Sequence, residues 1–433
     1  MTAPRPMTNK PKSNPVPKLR FPEFSNAEGW EEMRLGNEGK FLSSLTGKTG
    51  EDFDAGEARF VTYSNVFSNT FVDPKALRFV DVKEGENQNA VAIGDVFFTV
   101  SSETPEEVGM SSVLLEEIDN CYLNSFCALF RFFKSKQPNP LFTGYLLRQP
   151  LVRSYFTKHA QGFTRFNLSK DVFNNLIVFV PKSAEQQKIA AILTSLDELI
   201  EAEGHKLAAL KACKTGLIQH LFPCDGETLP RLRFPEFQNA PKWEVKSIGQ
   251  VVTAIVREKE KPDTPYTGLG IRNHGKGTFL KEFENPAKNS MNVLFEVKPD
   301  DLILNITFAW EGSIAIAKEC DDGALVSHRF PTYKINSNVS IPGFLRYIIV
   351  DKQFVYQLGV ISPGGAGRNR VLNKNDFLKI PIVLPKIEEQ HRIAYCLTLL
   401  DDLIAAQNDK VVVLKIHQKG LMQQLFPAPE DLS

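Results

Sequence analysis

Two stretches of the chain concentrate basic side chains with few acids among them. The first runs from Arg131 to Lys170 and holds eight lysines and arginines with no aspartate or glutamate. The second runs from Gly323 to Lys374 and holds seven, against the single acid Asp351. Because the whole chain balances 51 basic against 51 acidic residues, these stretches indicate two local surfaces suited to a polyanion. An ordinary solvated charged surface is the alternative.

Motifs that would give the chain a catalytic activity of its own are absent from the sequence. It has no Gly-x-x-x-x-Gly-Lys-Ser/Thr phosphate loop, no Gly-x-Ser-x-Gly turn and no His-Glu-x-x-His pair. Asn139-Pro140 and Asn285-Pro286 precede leucine and alanine, so the Asn-Pro-Pro-aromatic tetrapeptide of DNA amino-methyltransferases is missing. The six cysteines form no Cys-x-x-Cys pair, which argues against a zinc site. The pattern favours a binding protein that is not an enzyme.

The composition is typical of a globular protein. Of 433 residues, 42% are hydrophobic and 24% charged. No run approaches the ~18 to 20 unbroken apolar residues that a membrane helix needs. The first 16 residues are predicted to be a disordered tail, because they lack the apolar core of a secretion signal. We therefore expect a cytoplasmic protein with no membrane partner.

The chain contains an internal repeat. The segment Pro17–Phe24 returns as Pro230–Phe237 with one difference, Lys18 against Arg231. Further repeated pairs are Trp30 and Trp243, 185–190 and 389–394, and 216–223 and 420–427. A duplicated architecture predicts internal two-fold symmetry, which suits a target that also has two halves.

Each half begins with a long mixed segment, over about 18–180 and 231–384. Short strand-like runs such as Asp95–Val100 and Asp301–Ile306 alternate there with turn residues. This pattern predicts compact α/β or α+β domains built on a twisted sheet. The two segments differ greatly in sequence, so they are expected to share a framework but not a binding surface.

A helical segment with a heptad pattern ends each half. The first seam comprises Leu193, Leu196, Ile200, Glu203, Leu207, Leu210, Lys214, Leu217 and Leu221. The second comprises Leu397, Leu400, Ile404, Gln407, Val411, Leu414, Gln418, Leu421 and Leu425. Spacing of alternately three and four residues predicts that the two helices pair as a coiled coil, with polar interruptions at matching places. Packing of each helix on its own domain is the alternative.

These motifs together resemble the specificity subunit of type I restriction–modification systems. The resemblance rests on the Leu-Arg-Phe-Pro-Glu-Phe opening of each half, the Pro-Lys-x-x-Glu-Gln-x-x-Ile-Ala helix starts and the Leu-Phe-Pro ends. Phe308–Ser313 and Val326–Pro331 also look like recurrent segments of this family. The matching features cover nearly the whole chain.

The resemblance implies two target-recognition domains joined by two long helices in an antiparallel coiled coil, with an internal pseudo-two-fold repeat. The expected boundaries are a tail over 1–16, the first recognition domain over 17–180, the first coiled-coil helix over 181–223, a linker over 224–230, the second recognition domain over 231–384 and the second coiled-coil helix over 385–427.

The resemblance also implies a function and a set of partners. The chain would bind a bipartite site on double-stranded DNA and scaffold methyltransferase (modification) subunits and motor (restriction) subunits. It would need no cofactor of its own. S-adenosylmethionine for adenine methylation, and ATP and Mg for translocation and cleavage, would belong to the partner subunits.

Candidate DNA-binding residues come from the two basic stretches. Lysine and arginine bind phosphates, while arginine can pair with guanine and asparagine or glutamine with adenine. The candidates are Lys158, Arg165, Asn167, Lys170, Arg329, Arg368, Arg370 and Lys374. Phosphate contact is the expected role, and base reading by particular residues stays open.

Two other functions remain open from the sequence. One is a self-sufficient restriction–methylation enzyme with a fused recognition module, against which the missing catalytic motifs count. The other is a coiled-coil scaffold that does not bind DNA, which salt-dependent DNA binding would distinguish from the first reading.

Overall fold

The computed structural model describes residues 14–364 and 370–427. They fall into two units, treated separately below. Unit 1 comprises the described residues up to Gly204 and from Asp409 onward, and unit 2 comprises those between His205 and Asn408. Two 39-residue helices, α6 (Ser183–Leu221) and α11 (Ile387–Leu425), each contribute one half to each unit. The predicted fold class, mixed α/β domains with two long helices, is confirmed.

Unit 1 contains a four-stranded and a three-stranded sheet with two smaller strand pairs. The strands are β1 Glu31–Arg34, β2 Gly39–Leu42, β3 Phe53–Val61, β4 Arg78–Val80, β5 Val96–Thr99, β6 Ser101–Ser102, β7 Ser111–Val113, β8 Cys121–Leu123, β9 Cys127–Phe132, β10 Phe166–Asn167 and β11 Ile177–Val180. The sheet orders are β2-β9-β5-β7, β4-β3-β8, β1-β11 and β10-β6. The helices before α6 are α1 Leu35–Glu38, α2 Tyr63–Ser68, α3 Pro140–Arg148, α4 Pro150–His159 and α5 Lys170–Asn174, with 3-10 turns at Pro22–Phe24, Gly50–Asp52 and Pro74–Ala76.

Unit 2 contains a four-stranded and a five-stranded sheet with one strand pair. Its strands are β12 Glu244–Ser247, β13 Val252–Ile255, β14 Glu258–Glu260, β15 Tyr266–Ile271, β16 Thr278–Phe283, β17 Val293–Glu296, β18 Leu302–Leu304, β19 Ile314–Ile316, β20 Leu325–Val326, β21 Thr332–Ile335 and β22 Pro381–Leu384. The orders are β13-β21-β18-β19, β14-β17-β20-β15-β16 and β12-β22. The helices before α11 are α7 Ile248–Val251, α8 Pro342–Ile348, α9 Lys352–Val360 and α10 Lys374–Phe377, with 3-10 turns at Pro235–Phe237, Pro286–Lys288, Ala309–Glu311 and Glu319–Asp321.

The strand-like runs seen in the sequence form central strands. The run Asp95–Val100 contains β5, which pairs with β7 on one side and β9 on the other. The run Asp301–Ile306 contains β18, which lies between β19 and β21. Every residue of both strands is buried, which explains continuous apolar runs in place of strict alternation.

The repeated opening motif is fixed to the start of each long helix by a buried ion pair. In unit 1, Arg20 donates to both carboxylate oxygens of Glu185 at 2.7 and 2.8 Å. In unit 2, Arg233 donates to Glu389 at 2.6 and 2.8 Å. These bidentate hydrogen bonds raise the pKa of both guanidinium groups. The repeated Leu-Arg-Phe-Pro and Glu-Gln motifs therefore correspond to the same arginine–glutamate ion pair, formed once in each unit.

The repeated Leu-Phe-Pro ends complete the aromatic cores. In unit 1, the rings of Trp30, Phe142 and Phe426 lie 5.7–5.9 Å apart. In unit 2, Trp243, Phe344 and Phe222 lie 5.3–6.1 Å apart. Each unit thus buries the end of the long helix that starts in the other half of the sequence.

The described part of the amino-terminal segment is partly packed. Pro15 is buried, and its carbonyl accepts a hydrogen bond from the backbone N–H of Trp30 at 2.9 Å. Residues 1–13 of the predicted tail lie outside the described residues.

The long helices pair antiparallel within each unit. In unit 1, Asp197 bonds to Gln418 while Glu203, further along α6, bonds to Lys410, which lies earlier on α11. In unit 2, Lys214 bonds to Asp401 at 2.5 Å. All the predicted seam residues are buried or half-buried. The predicted pairing of the helices is confirmed.

A tyrosine from each mixed region bonds to an aspartate on a long helix, and that aspartate also bonds to a polar seam residue of the other helix. The Tyr145 hydroxyl donates to Asp197 at 2.5 Å, and Asp197 also accepts from Gln418. The Tyr347 hydroxyl donates to Asp401 at 2.8 Å, and Asp401 also accepts from Lys214. Burial, and then the bond to Asp401, raise the pKa of Tyr347 to about 12. The polar seam residues Lys214 and Gln418 are therefore partners of aspartates that hold α3 and α8 to the helices.

Candidate DNA interface

Each unit carries a loop at the same place in its fold, before the last short helix of its mixed region. In unit 1 the loop follows α4, and the N–H of Leu168 donates to the carbonyl of Val100 at 3.1 Å. In unit 2 the loop follows α9, and the N–H of Leu372 donates to the carbonyl of Ile306 at 2.8 Å. The helices α5 and α10 begin two residues later, so the two loops end in the same backbone geometry despite different sequences.

The unit 1 loop is closed tightly at its base. Gln161 and Asn167 exchange backbone hydrogen bonds of 2.9 and 3.0 Å as an isolated antiparallel bridge. Gly162 adopts φ +145°, and a Cβ there would lie 1.9 Å from the carbonyl oxygen of Arg165. Only glycine fits this turn, because any side chain would collide with the backbone. The sequence therefore presents residues 163–165 on a short constrained tip.

The four unit 1 candidates are all exposed and lie along this loop. Lys158 is in the last turn of α4, Arg165 is on the tip, Asn167 is in the bridge at its base, and Lys170 is the first residue of α5. The Lys170 ammonium lies 6.0 Å from the centre of the Phe41 ring. Lys170 is thus exposed at the end of the loop, beside an aromatic ring.

Three of the four unit 2 candidates are gathered around Ile306, in the turn that follows β18. The N–H of Ile306 donates to the carbonyl of Arg329 at 3.0 Å, and its carbonyl accepts from Leu372, between Arg370 and Lys374. Arg329 and Lys374 are exposed, and Lys374 begins α10 as Lys170 begins α5. The two units therefore place a lysine at the same position after the loop.

Arg370 is held by the protein on most of its surface. Its Nε and Nη2 donate to the carbonyls of Ser362 and Gly359 at 3.0 and 2.8 Å. The guanidinium also lies over the Trp310 ring at 5.2 Å. The Nε and Nη2 side of the Arg370 guanidinium therefore faces the protein and holds the base of the loop in place. Arg368, the remaining candidate, lies outside the described residues.

Three arginines of the first basic stretch, none of them among the DNA-binding candidates, bond to groups within unit 1. Arg148 donates to the carbonyls of Ser111, Val66, Phe67 and Asn69. Arg153 donates to those of Glu106, Val108 and Gly109, and Arg131 forms an ion pair with Asp95 at 2.6 Å. Burial, and then the charge of Arg153, lower the pKa of Arg148 to about 10. Arg148 and Arg153 thereby bond to backbone carbonyls at the end of α2, at the edge strand β7 and in the loop before it.

Sequence reasoning missed two aromatic residues of the site. Trp310 forms the surface on which Arg370 rests, and its indole N–H donates to the carbonyl of Thr307 at 3.1 Å. Phe163, at the tip of the unit 1 loop, is fully exposed. Trp310 lies in a segment that resembles the family, which was an available signal. Nothing in the local pattern distinguishes the exposure of Phe163 from that of the half-buried Phe166.

A cavity of about 370 Å³ opens beside the loop of unit 1. Its lining consists of Phe41, Leu42, Ser43, Val100, Ala128, Leu168, Lys170 and Phe173. Lys170 is the one ionisable side chain in this set, so the cavity offers no acid–base pair. Within residues 14–364 and 370–427, no cluster of histidine, cysteine, aspartate or glutamate is arranged to hold a metal ion.

Each unit has an α/β core, paired long helices and exposed basic residues such as Lys170 and Lys374 beside a loop, a combination that indicates a nucleic-acid-binding class of protein. A sequence profile for the type I restriction modification DNA specificity domain matches residues 27–212 and 241–415. The chain belongs to this family. It is accordingly a non-catalytic specificity subunit of a type I restriction–modification system.

Similar proteins span most of the chain. A candidate specificity subunit of the MjaX type I restriction enzyme from Methanocaldococcus jannaschii is 26% identical over 379 residues, covering 84% of this chain and 86% of that protein. The MjaVIII specificity subunit of the same organism is 24% identical over 304 residues, covering 68% and 71%.

Solved structures show the same fold. The S subunit of a type I system from M. genitalium aligns with a TM-score of 0.55 at 13% identity, over 95% of this chain and 99% of that one. A chain from a structure on assembly of the type I system aligns with a TM-score of 0.53 at 15% identity, over 92% and 98%. A search for helices long and apolar enough to cross a membrane finds none among the described residues.

Proposed function

We propose that this specificity subunit recognises a bipartite sequence on double-stranded DNA, with unit 1 binding one half-site and unit 2 the other. The observation that supports this most directly is the matched placement of the two loops, each pinned by a leucine N–H and followed by an exposed lysine, Lys170 or Lys374. Because the two loops differ in sequence, the two half-sites would differ as well.

The proposed contacts divide by chemistry. Exposed lysines and arginines would bind phosphates and set the register of each unit, while arginine and amide groups at the loop tip could reach base edges. The phosphate-binding set would be Lys158, Lys170, Arg329, Arg368 and Lys374, with Arg165 and Asn167 nearer to the bases. Arg370 would offer DNA only the part of its guanidinium that is not bonded to Ser362 and Gly359.

The proposed partners supply the chemistry that this chain lacks. Methyltransferase (modification) subunits would bring S-adenosylmethionine and methylate adenine, and motor (restriction) subunits would use ATP and Mg to translocate and cleave unmodified DNA. The paired helices α6 and α11 offer these subunits a continuous scaffold. We propose the cytoplasm as the place of action.

The test is an exchange of recognition domains in the assembled complex. Residues 231–384 are replaced by the equivalent segment of a relative with another target, and methylated sites are identified by sequencing. We expect one half of the modified sequence to change and the other to stay. The matched exchange of residues 17–180 should change the opposite half. If both halves changed together in either chimera, the proposal would be wrong.

A further inference from the structure

Phe163 is the most exposed large apolar side chain among the described residues. Its relative exposure is 100%, while the next in order, Val256, is 68% exposed. Single exposed apolar residues are common on protein surfaces, but a phenylalanine with no packing contact gains nothing from the fold. Its full exposure at the tip of the unit 1 loop therefore calls for an explanation other than folding stability.

The loop holds Phe163 in a defined place. Below it, the Gln161–Asn167 bridge and Gly162, at a positive φ that suits glycine, close the base of the tip. On the incoming side, the ring of His159 lies 4.3 Å from that of Tyr155, whose hydroxyl donates to Val172 at 3.0 Å. These contacts hold the backbone on both sides of Phe163, and its ring projects into solvent.

The surroundings of Phe163 match the chemistry of a DNA groove. Gln161, Thr164 and Arg165 beside it are exposed, and all can donate hydrogen bonds to base edges or phosphates. The segment from Arg131 to Lys170 contains no aspartate or glutamate; the acid nearest to the loop in the pairing pattern is the exposed Glu103, which follows the β6 strand paired with β10. An apolar ring that projects from such a loop can contact a thymine methyl group or enter a base step, as other DNA-binding proteins do with phenylalanine.

We propose that Phe163 makes an apolar contact with a base in the half-site recognised by unit 1, and that this contact contributes to sequence specificity. The proposal rests on the proposed function. It applies to one half-site only, because the residue five positions before Leu372 in unit 2 is Gly367, whereas the residue five positions before Leu168 is Phe163.

The experiment uses the assembled complex with Phe163→Ala and, as matched control, Phe79→Ala, an exposed phenylalanine on β4 in a different sheet. Affinity for cognate and unrelated duplexes is measured across a salt series. Phe163→Ala should weaken cognate binding by roughly 5- to 150-fold, the range for loss of one aromatic–base contact. Binding to unrelated DNA and the salt slope should stay as in wild type, because the ring neutralises no phosphate. Phe79→Ala should bind as wild type.

Two further measurements identify the base surface. If the ring touches a thymine methyl group, deoxyuridine in the unit 1 half-site should weaken wild type but not Phe163→Ala. If the ring enters a base step, the fluorescence of 2-aminopurine placed at that step should increase on binding of wild type and not on binding of the variant. Wild-type affinity of Phe163→Ala for cognate DNA would overturn the inference and leave the proposed function standing. A wild-type complex that failed to discriminate half-sites would overturn both.

Discussion

Lys170 and Lys374 give the sharpest residue-level test, because the two units hold them in the same geometry. Each begins a short helix directly after its loop and is exposed. Lys170→Ala and Lys374→Ala should each lower the slope of log affinity against log salt by about 0.9, the value of one lost phosphate contact, and the double variant by about twice that. The measurement is binding of cognate duplex by the assembled complex at several salt concentrations.

Lys188→Ala is the matched control for the lysine variants. Lys188 lies on α6 and already pairs with Glu23 at 3.4 Å, so its removal should leave the salt slope alone. An equal effect of all three substitutions would mean that the slope reports overall charge and not phosphate contact at the loops. Arg370→Ala is a poorer probe, since it also removes the bonds to Gly359 and Ser362 that support the loop.

The sequence predicted where the basic stretches lie but not which of their side chains face solvent. Arg148 and Lys158 lie ten residues apart in one acid-free segment, yet Arg148 is half-buried and bonded to four carbonyls while Lys158 is exposed. The difference arises from carbonyls at the end of α2 and at the start of β7, which are distant in sequence. A local pattern cannot report such partners, because they exist only after the chain has folded.

At the scale of elements, heptad spacing predicted α6 and α11 with their polar interruptions. The tyrosines that explain the interruptions could not be found in the same way. Tyr145 and Tyr347 lie on α3 and α8, about fifty residues before the aspartates that they contact. Their pairing with Asp197 and Asp401 depends on how the mixed region packs against the helix.

Removal of these tyrosine hydroxyls should loosen the attachment of α3 and α8 to the long helices. Tyr145→Phe and Tyr347→Phe should each lower the free energy of unfolding by about 1.5–3 kcal/mol, the range for a hydrogen bond to a charged acceptor. Tyr155→Phe is the control, because its hydroxyl donates to the neutral carbonyl of Val172 and should cost about 0.5–1.5 kcal/mol. Urea unfolding of the purified chain measures all three. A larger loss for Tyr155→Phe than for the other two would contradict this account of the seam.

At the scale of the whole molecule, the repeated motifs mark the framework, and the proposed binding surfaces lie in segments that do not repeat. Arg20 with Glu185, and Arg233 with Glu389, form the same ion pair in the two units. The loops that follow α4 and α9 share a leucine anchor but little else. The fold was therefore predictable from the repeat. The bases recognised were not predictable. In the proposed function they would depend on side chains of the two loops, and those side chains differ between the units.

The last prediction concerns the two helices as a ruler for the DNA spacer. Both helices pass from one unit to the other, α6 after Gly204 and α11 after Asn408. Insertion of seven residues at both points adds about 10 Å of helix at 1.5 Å per residue and keeps the heptad phase within about 20°. At roughly 3.4 Å per base pair, the spacer of the modified sequence should lengthen by about three base pairs. Both half-sites should stay the same, since neither loop is altered.

Sequencing of methylated DNA from cells with the variant complex gives the spacer and both half-sites at once. Insertion into α6 alone is the control. This variant lengthens α6 while α11 keeps its length. The bond from Lys214 to Asp401 in unit 2 and the bond from Glu203 to Lys410 in unit 1 then cannot both be kept along continuous paired helices. We therefore expect that variant to be unstable or inactive. An active double insertion that still modified the original spacer would show that something other than the helices sets the distance between half-sites.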